Sequence, residues 1–112
     1  MDRIVTVIID RPYGSVHPEH PDIVYPLNYG HVEGVMGGDG EEQDAYLLDF
    51  NMPELLYVGK EVSGYIVAVI RRKNDVETKW VVSAGSRKKY TREDIEKAVR
   101  FQEQYFDIEI IM

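Results

Sequence analysis

Three features of the sequence predict a mainly β protein with one C-terminal helix, most simply a small OB-like antiparallel β-barrel. Short runs rich in β-branched and aromatic residues recur between glycine, proline and asparagine turn signals. Near the end of the chain the apolar repeat changes from strand-like to three- and four-residue spacing. A length of 112 residues gives room for one domain, 1–112, around one core.

Residues 3–9, Arg-Ile-Val-Thr-Val-Ile-Ile, read as the first strand. Residues 11–24 carry Pro12, Gly14, Pro18 and Pro21, too much proline for regular structure, so an ordered loop is expected. Tyr29 to Met36 forms a second strand, ended by Gly37-Gly38-Asp39-Gly40. Asp44 to Phe50 forms a third, before the turn Asn51-Met52-Pro53. Val62 to Arg72 is a long β-rich run, and Asn74-Asp75 turns the chain into a strand over 77–83. Thr91 suits an N-cap, with Asp94 completing a capping box. Ile95, Ala98, Val99, Gln102, Tyr105 and Phe106 then mark one face of an amphipathic helix of about four turns. The aromatics Phe101, Tyr105 and Phe106 are expected mostly in the core, and Ile108 to Met112 is a short apolar end. Strands followed by one helix match the OB outline, though an open sheet would give the same pattern.

Composition narrows the function. At 44% hydrophobic and 29% charged, the chain is ordinary for a soluble domain. No apolar stretch approaches the roughly 20 residues that cross a bilayer, so no membrane partner is expected. The start, Met-Asp-Arg-Ile-Val-Thr-Val-Ile-Ile-Asp, lacks the build of a signal peptide, and a cytoplasmic protein is expected. With no cysteine, thiolate metal sites and cysteine nucleophiles are excluded. A net charge of −7 argues against nucleic acid, whose backbone needs a basic face.

The densest acids are Asp39-Gly40-Glu41-Glu42-Gln43-Asp44, where the glycine turn enters a strand. A hard divalent ion takes oxygen ligands, usually a few carboxylates completed by water and substrate phosphate. A turn feeding a strand lets Asp39 and Asp44 converge while Glu41 points at the same space. For an isolated hexapeptide, a solvated acidic turn is the commoner outcome.

The preceding segment, Val24-Tyr25-Pro26-Leu27-Asn28-Tyr29-Gly30-His31-Val32, adds a second signal. Tyr-Pro-x-Asn-Tyr-Gly shortly before Asp-Gly-acid-x-x-Asp resembles the soluble inorganic pyrophosphatases. There a Tyr-Pro-x-Asn-Tyr-Gly-Tyr segment leads into Asp-x-Asp-Pro-x-Asp. Asp39 and Asp44 match its outer aspartates, Glu41 stands at the middle one, and Glu42 replaces the proline. Residues 66–82 resemble the family's later hairpin, with Glu77 and Lys79 as its acid-x-Lys pair and Asp75 or Asn74 as its turn acid. Gln104-Tyr105-Phe106 is similar to the closing helix, and Asp10-Arg11-Pro12 to an acid-x-Pro that ends the first strand. Phe106 takes the place of the family's lysine. The family's lysine, glutamate and arginine before the Tyr-Pro segment are replaced by a compact Arg-Pro-Tyr-Gly-Ser-Val-His-Pro-Glu-His-Pro, where Arg11 and His17 are the candidates to stand in.

The resemblance implies a Mg²⁺-dependent, or Mn²⁺-dependent, hydrolysis of inorganic pyrophosphate to phosphate by a water activated between two metal ions. Asp39, Asp44, Glu77 and Asp75 would hold metal, with Asp44 bridging and Glu41 as general base. Tyr29, Lys79, Tyr105 and Arg11 would contact the phosphate-containing substrate. Glutamate for aspartate at 41 and 77 shifts each carboxylate by about a bond length, so a weaker pyrophosphatase, or one for another phosphate ester, is expected. The alternative is a catalytically silent barrel that binds a phosphate compound, a nucleotide or a protein partner.

Other motifs carry less. His17 and His20 are three apart, but Pro18 and Pro21 forbid the helix that would align them for zinc. His31 reads as a packing or surface residue. The basic stretch 83–90 is a solvated loop or a guide for an anionic substrate. Small size and many aromatics suit a homo-oligomer.

Overall fold

The computed structural model describes residues 4–38, 40–49, 57–73, 77–84 and 90–112. Its strands are β1 (Ile4–Arg11), β2 (Asn28–Met36), β3 (Glu42–Leu48), β4 (Glu61–Arg72), β5 (Thr78–Ser83) and β6 (Ile108–Ile111), with one helix, α1 (Arg92–Glu103), before β6. The sheet order is β1-β2-β3-β5-β4-β6, and β1 also pairs with the first part of β4. That second pairing closes β1 to β5 into a barrel, the OB-like architecture expected. Five strands closed in a ring cannot be antiparallel throughout. The mismatch falls between β3 and β5, which run parallel with Asp44 opposite Lys79. The antiparallel expectation is corrected at this one pairing.

The ends of the elements differ from the sequence reading in instructive ways. The helix has 12 residues, a little over three turns, because the chain must turn back after Glu103 for β6 to pair with Val69–Arg72. Tyr105 and Phe106 therefore leave the helical stripe. They are 64% and 44% exposed, while only Phe101 of the three tail aromatics packs against the core. The apolar end is itself a strand. The capping box forms as expected, with Thr91 and Asp94 each accepting the other's backbone N–H. The proline-rich segment is irregular but ordered, folded into a small hairpin by the Val16–Val24 bridge and by hydrogen bonds between Gly14 and Tyr25 and between Ser15 and Tyr25. Asp39, the Asn51-Met52-Pro53 turn, the Asn74-Asp75 turn and residues 85–89 of the basic loop lie outside the described residues. No described helix is long and apolar enough to cross a membrane.

Two cores follow from the strand pleat. Val5, Val7, Ile9, Val32, Ala45, Leu47, Val62, Ile66 and Val82 come from all five barrel strands and fill its interior. Tyr29, Tyr46, Leu48, Ala68, Ile70 and Val81 lie on the outer face, covered by Ile95 and Val99 of α1 and Ile110 of β6. β3 and β5 thus bury both faces, and side chains alternate between barrel and helix layer. On β4 the register shifts between Ile66 and Ala68. This bulge moves an even-numbered series from the interior (Val62, Ile66) to the outer face (Ala68, Ile70, Arg72).

Gly30, the glycine of the Tyr-Pro-x-Asn-Tyr-Gly segment, has a steric reason. A Cβ there would lie 2.0 Å from the carbonyl oxygen of Ile8 on β1. Backbone cannot yield as a flexible side chain would, so Gly30→Ala should cost about 2–3 kcal/mol, the upper part of the range for overpacking. Urea unfolding checks this, and an unchanged midpoint would show that β1 and β2 can separate.

Candidate active site

The outer face carries the chemistry. Asp44 precedes Tyr46 by two residues on β3, and Lys79 precedes Val81 by two on β5, so both project on the side that packs under α1. Their backbones are neighbours in the parallel ladder. Tyr29 reaches the same face from β2, where it pairs with Tyr46. Lys79 Nζ donates to Asp44 Oδ2 at 2.8 Å, to Tyr29 OH at 2.6 Å and to a Glu77 carboxylate oxygen. The lysine is 4% exposed, so these acceptors take the place of water around it.

Arg72, carried to this face by the β4 bulge, extends the cluster. Its Nη1 is 3.4 Å from Glu77, and its Nε and Nη2 grip both oxygens of Glu103 at 3.0 and 2.8 Å. Glu103 also accepts from Tyr46 OH at 2.6 Å. Gln102 Nε2 donates to Tyr46 OH at 2.9 Å, while Tyr25 OH donates to Gln102 Oε1 at 3.0 Å. Arg11 in turn donates to Tyr25 OH and lies over the Tyr25 and Tyr29 rings. One connected polar network therefore runs from Arg11 at the end of β1 to Asp44 on β3.

The proton equilibria follow. Burial works to raise the Asp44 carboxyl, but the hydrogen bond and charge of Lys79 prevail and hold it below the usual carboxylate range. Burial, reinforced by the charge of Asp44, pushes the Tyr29 phenol far above its ordinary value, leaving it a neutral donor. Tyr46 is raised in the same way by burial and by Glu103. Burial opposes the charge on Arg72, and Glu103 more than restores it.

The network opens on a cavity of about 620 Å³. Tyr29, Asp44, Lys79, Arg72 and Gln102 line one wall, the proline-rich hairpin another with His17, His20 and Ile23, and Tyr105 and Phe106 its mouth. Of the residues singled out by sequence, Asp44, Glu77, Lys79 and Tyr29 meet directly, and Arg11 and Tyr105 line the same cavity. Glu41 is exposed on the turn before β3 and is not among the residues lining the cavity. Asp39 and Asp75 lie outside the described residues. His17 and His20 face one another at 4.9 Å between ring centroids.

Sequence reading missed Arg72, Glu103, Tyr46, Gln102 as a polar partner, and His31. Glu103 carried a signal: it stands eight residues after Ile95 and four after Val99, on the buried helical stripe. Arg72 carried none, because only the bulge turns it inward from a basic run. His31 bridges two carboxylates, with Nδ1 at 2.8 Å from Asp10 and Nε2 at 2.9 Å from Glu42, joining β1, β2 and β3.

Mg²⁺ commonly uses one or two carboxylates together with water and substrate phosphate. Asp44 and Glu77 supply two such hard oxygen donors, so the donor chemistry fits Mg²⁺ or Mn²⁺. Both converge on the Lys79 ammonium, which an ion at this position would share or displace. Among the described residues no group of three or more histidine, aspartate or glutamate side chains is placed to hold a metal ion.

Comparison with solved structures accords with this architecture. A pyrophosphatase from Ehrlichia chaffeensis superposes with a TM-score of 0.70 over 95% of this chain and 83% of its own, at 16% identity. The chain has the inorganic pyrophosphatase fold. The Neisseria gonorrhoeae enzyme gives 0.65 over 91% of this chain and 73% of its own, at 20% identity. The Thermus thermophilus enzyme gives 0.63 over 97% and 80%, at 15% identity. No protein-family model and no curated protein sequence matches the chain.

Two predictions test the site's framework. Glu103→Ala strands the Arg72 guanidinium in a buried place and should lower stability by about 3–5 kcal/mol. Urea unfolding reads this, and a loss under 1 kcal/mol would show that the pair is not desolvated as described. The second concerns His31. Burial opposes its protonated form, but the hydrogen bond and charge of Asp10 and the charge of Glu42 raise it above 6.5. A raised folded value means that the pairing stabilises fully below the unfolded value, about 6.5, and fades as pH climbs through the folded one. The stability gap between the natural chain and His31→Gln should be widest near pH 5.5 and shrink above about pH 6.5. A gap that widens with rising pH would contradict the assignment.

Proposed function

We propose that this chain hydrolyses inorganic pyrophosphate to phosphate with a divalent cation, Mg²⁺ or Mn²⁺, held at Asp44 and Glu77. The observation that carries the reading is the meeting of Asp44, Lys79 and Tyr29 at the wall of the cavity, with Glu77 bonded to Lys79, on a barrel with the pyrophosphatase fold. When bound, such an ion neutralises phosphate oxygens and makes water a nucleophile near neutral pH. The protein's own part is to position and neutralise, which dominates phosphoryl transfer.

Lys79 supplies charge at the bottom of the cavity and Arg11 supplies it from the end of β1. Tyr29, kept neutral by burial and Asp44, offers a hydroxyl to a phosphate oxygen. Tyr105 at the mouth is a further contact. Glu41 lies outside the cavity lining, so the reading rests on this clamp rather than on a placed base. The competing reading is a phosphate-binding protein without turnover. It is favoured by the carboxylates that already occupy Lys79 and Arg72, and by Phe106 at the mouth.

Phosphate release from pyrophosphate with Mg²⁺ or Mn²⁺ separates them, with Asp44→Asn as the comparison. We expect metal-dependent release from the natural chain and a loss of about a hundredfold or more in the variant, comparable to removal of one aligned electrostatic group. Absence of release from folded, metal-supplied protein would sink the hydrolase reading.

A further inference from the structure

The cavity is roomier and less cationic than bare pyrophosphate requires. Sites for whole organic ligands run from roughly 300 to 1,000 Å³, and this one measures about 620 Å³. Pyrophosphate is small and multiply charged, so it calls for concentrated positive charge. Of the cavity's cations, Lys79 is engaged by Asp44 and Glu77, and Arg72 by Glu103 and Glu77. Arg11 enters no ion pair among the described residues and is spread over two tyrosine rings. Glu19 and Asp22 add negative charge to the hairpin wall. His17 adds little positive charge: burial, then the neighbouring charge of Arg11, lowers its pKa. Its Nδ1 accepts the Glu19 backbone N–H at 3.1 Å, so the neutral ring carries its proton on Nε2.

The mouth is built differently. Tyr105 and Phe106 come immediately after α1, 64% and 44% exposed, and both line the cavity. Pro18 and Ile23 of the hairpin line it as well. One face of the Phe106 ring is set by Arg72, whose guanidinium carbon lies 3.6 Å from the ring centroid. Aromatic rings left in water at the mouth of a phosphate-binding cluster can stack on a planar group attached to the phosphate.

We propose that the cavity takes nucleoside diphosphates, with the terminal phosphate at Lys79, Tyr29 and Arg11 and the base against Tyr105 and Phe106. This rests on the reading of the cluster as a phosphohydrolase site and extends its substrate class to phosphoanhydrides that carry a planar organic group. In the reaction the oxygen of water bonds to the terminal phosphorus as the bond from that phosphorus to the bridging oxygen breaks. The bridging oxygen leaves with the electron pair on the nucleoside monophosphate. Inorganic phosphate is the other product, and the released proton passes to solvent.

Equilibrium binding to the full chain, with and without Mg²⁺, tests the proposal directly. The probes are methylene-bridged ADP and methylenediphosphonate, which share the diphosphate and differ in the nucleoside. We expect the ADP analogue to bind about tenfold tighter, the gain from one stacking contact. Phe106→Leu should erase that preference. Phe106 is partly exposed beyond the helix end, so the variant should fold, and loss of its support for Arg72 would weaken both probes alike rather than their ratio. Equal binding of both probes to the natural chain, or a preference that survives Phe106→Leu, overturns the nucleotide assignment while leaving pyrophosphate hydrolysis standing. Failure of both probes to bind overturns this proposal and the phosphohydrolase reading together. ADP turnover to AMP and phosphate, slowed at least tenfold relative to pyrophosphate turnover by Phe106→Leu, supports it.

Discussion

Glu103 is a carboxylate 2% exposed, and much of the barrel's outer face is arranged to give it partners. An unpaired carboxylate in such a place would cost several kcal/mol, a large part of a domain's whole stability. Arg72 meets it in a two-point grip and Tyr46 adds a third hydrogen bond. These three side chains come from α1, β4 and β3, so one pairing fixes where the end of the helix rests on the sheet. Glu103 is also the last residue of α1, so the same contact sits where the chain leaves the helix and Tyr105 and Phe106 emerge.

The site inherits its position from that constraint and from the arithmetic of the barrel. With β3 and β5 forced into the parallel pair, Asp44 and Lys79 fall opposite one another rather than on separate edges. On their outer side Lys79 is buried, while Asp44 beside it stays partly open to the cavity. There an ammonium held by two carboxylates and a phenol is tightly kept, and the neighbouring phenol cannot ionise. The buried bottom of the cavity contrasts with the mouth, which is formed by a short hairpin and by residues past the helix end.

The sequence made the skeleton legible where local chemistry decides it. Strand positions came from β-branched runs, the helix start from Thr91 and Asp94, and the looped segment from its prolines. Asp44 was accessible from the acidic turn, and Glu77, Lys79 and Tyr29 through the resemblance of their segments to the inorganic pyrophosphatases. What escaped depended on register. Arg72 faces inward only because a bulge near Val67 shifts the pleat, and no run of residue types announces that. Tyr105 and Phe106 continue the helical stripe in sequence but not in space, since pairing of β6 with β4 ends the helix first. His31 read as a packing or surface residue because its two carboxylates lie on different strands, one twenty-one residues before it and one eleven after.

The cluster's charge balance bears on how it could work. Two carboxylates, Asp44 and Glu77, face one ammonium, and Glu77 is shared with Arg72, which is already committed to Glu103. The grouping therefore keeps one net negative charge without any further cation, and Lys79 sits where the two carboxylates meet. On the proposed function, an arriving phosphate would offer Lys79 new acceptors, and each bond the lysine made to it would loosen its hold on Asp44 and Glu77. A divalent cation taken by Asp44 and Glu77 would do the converse and leave the ammonium to phosphate. Either arrival would then favour the other, because each would remove the partner that the other has to displace. Coupling of this kind needs no movement of the strands, only a redistribution of hydrogen bonds around one buried side chain.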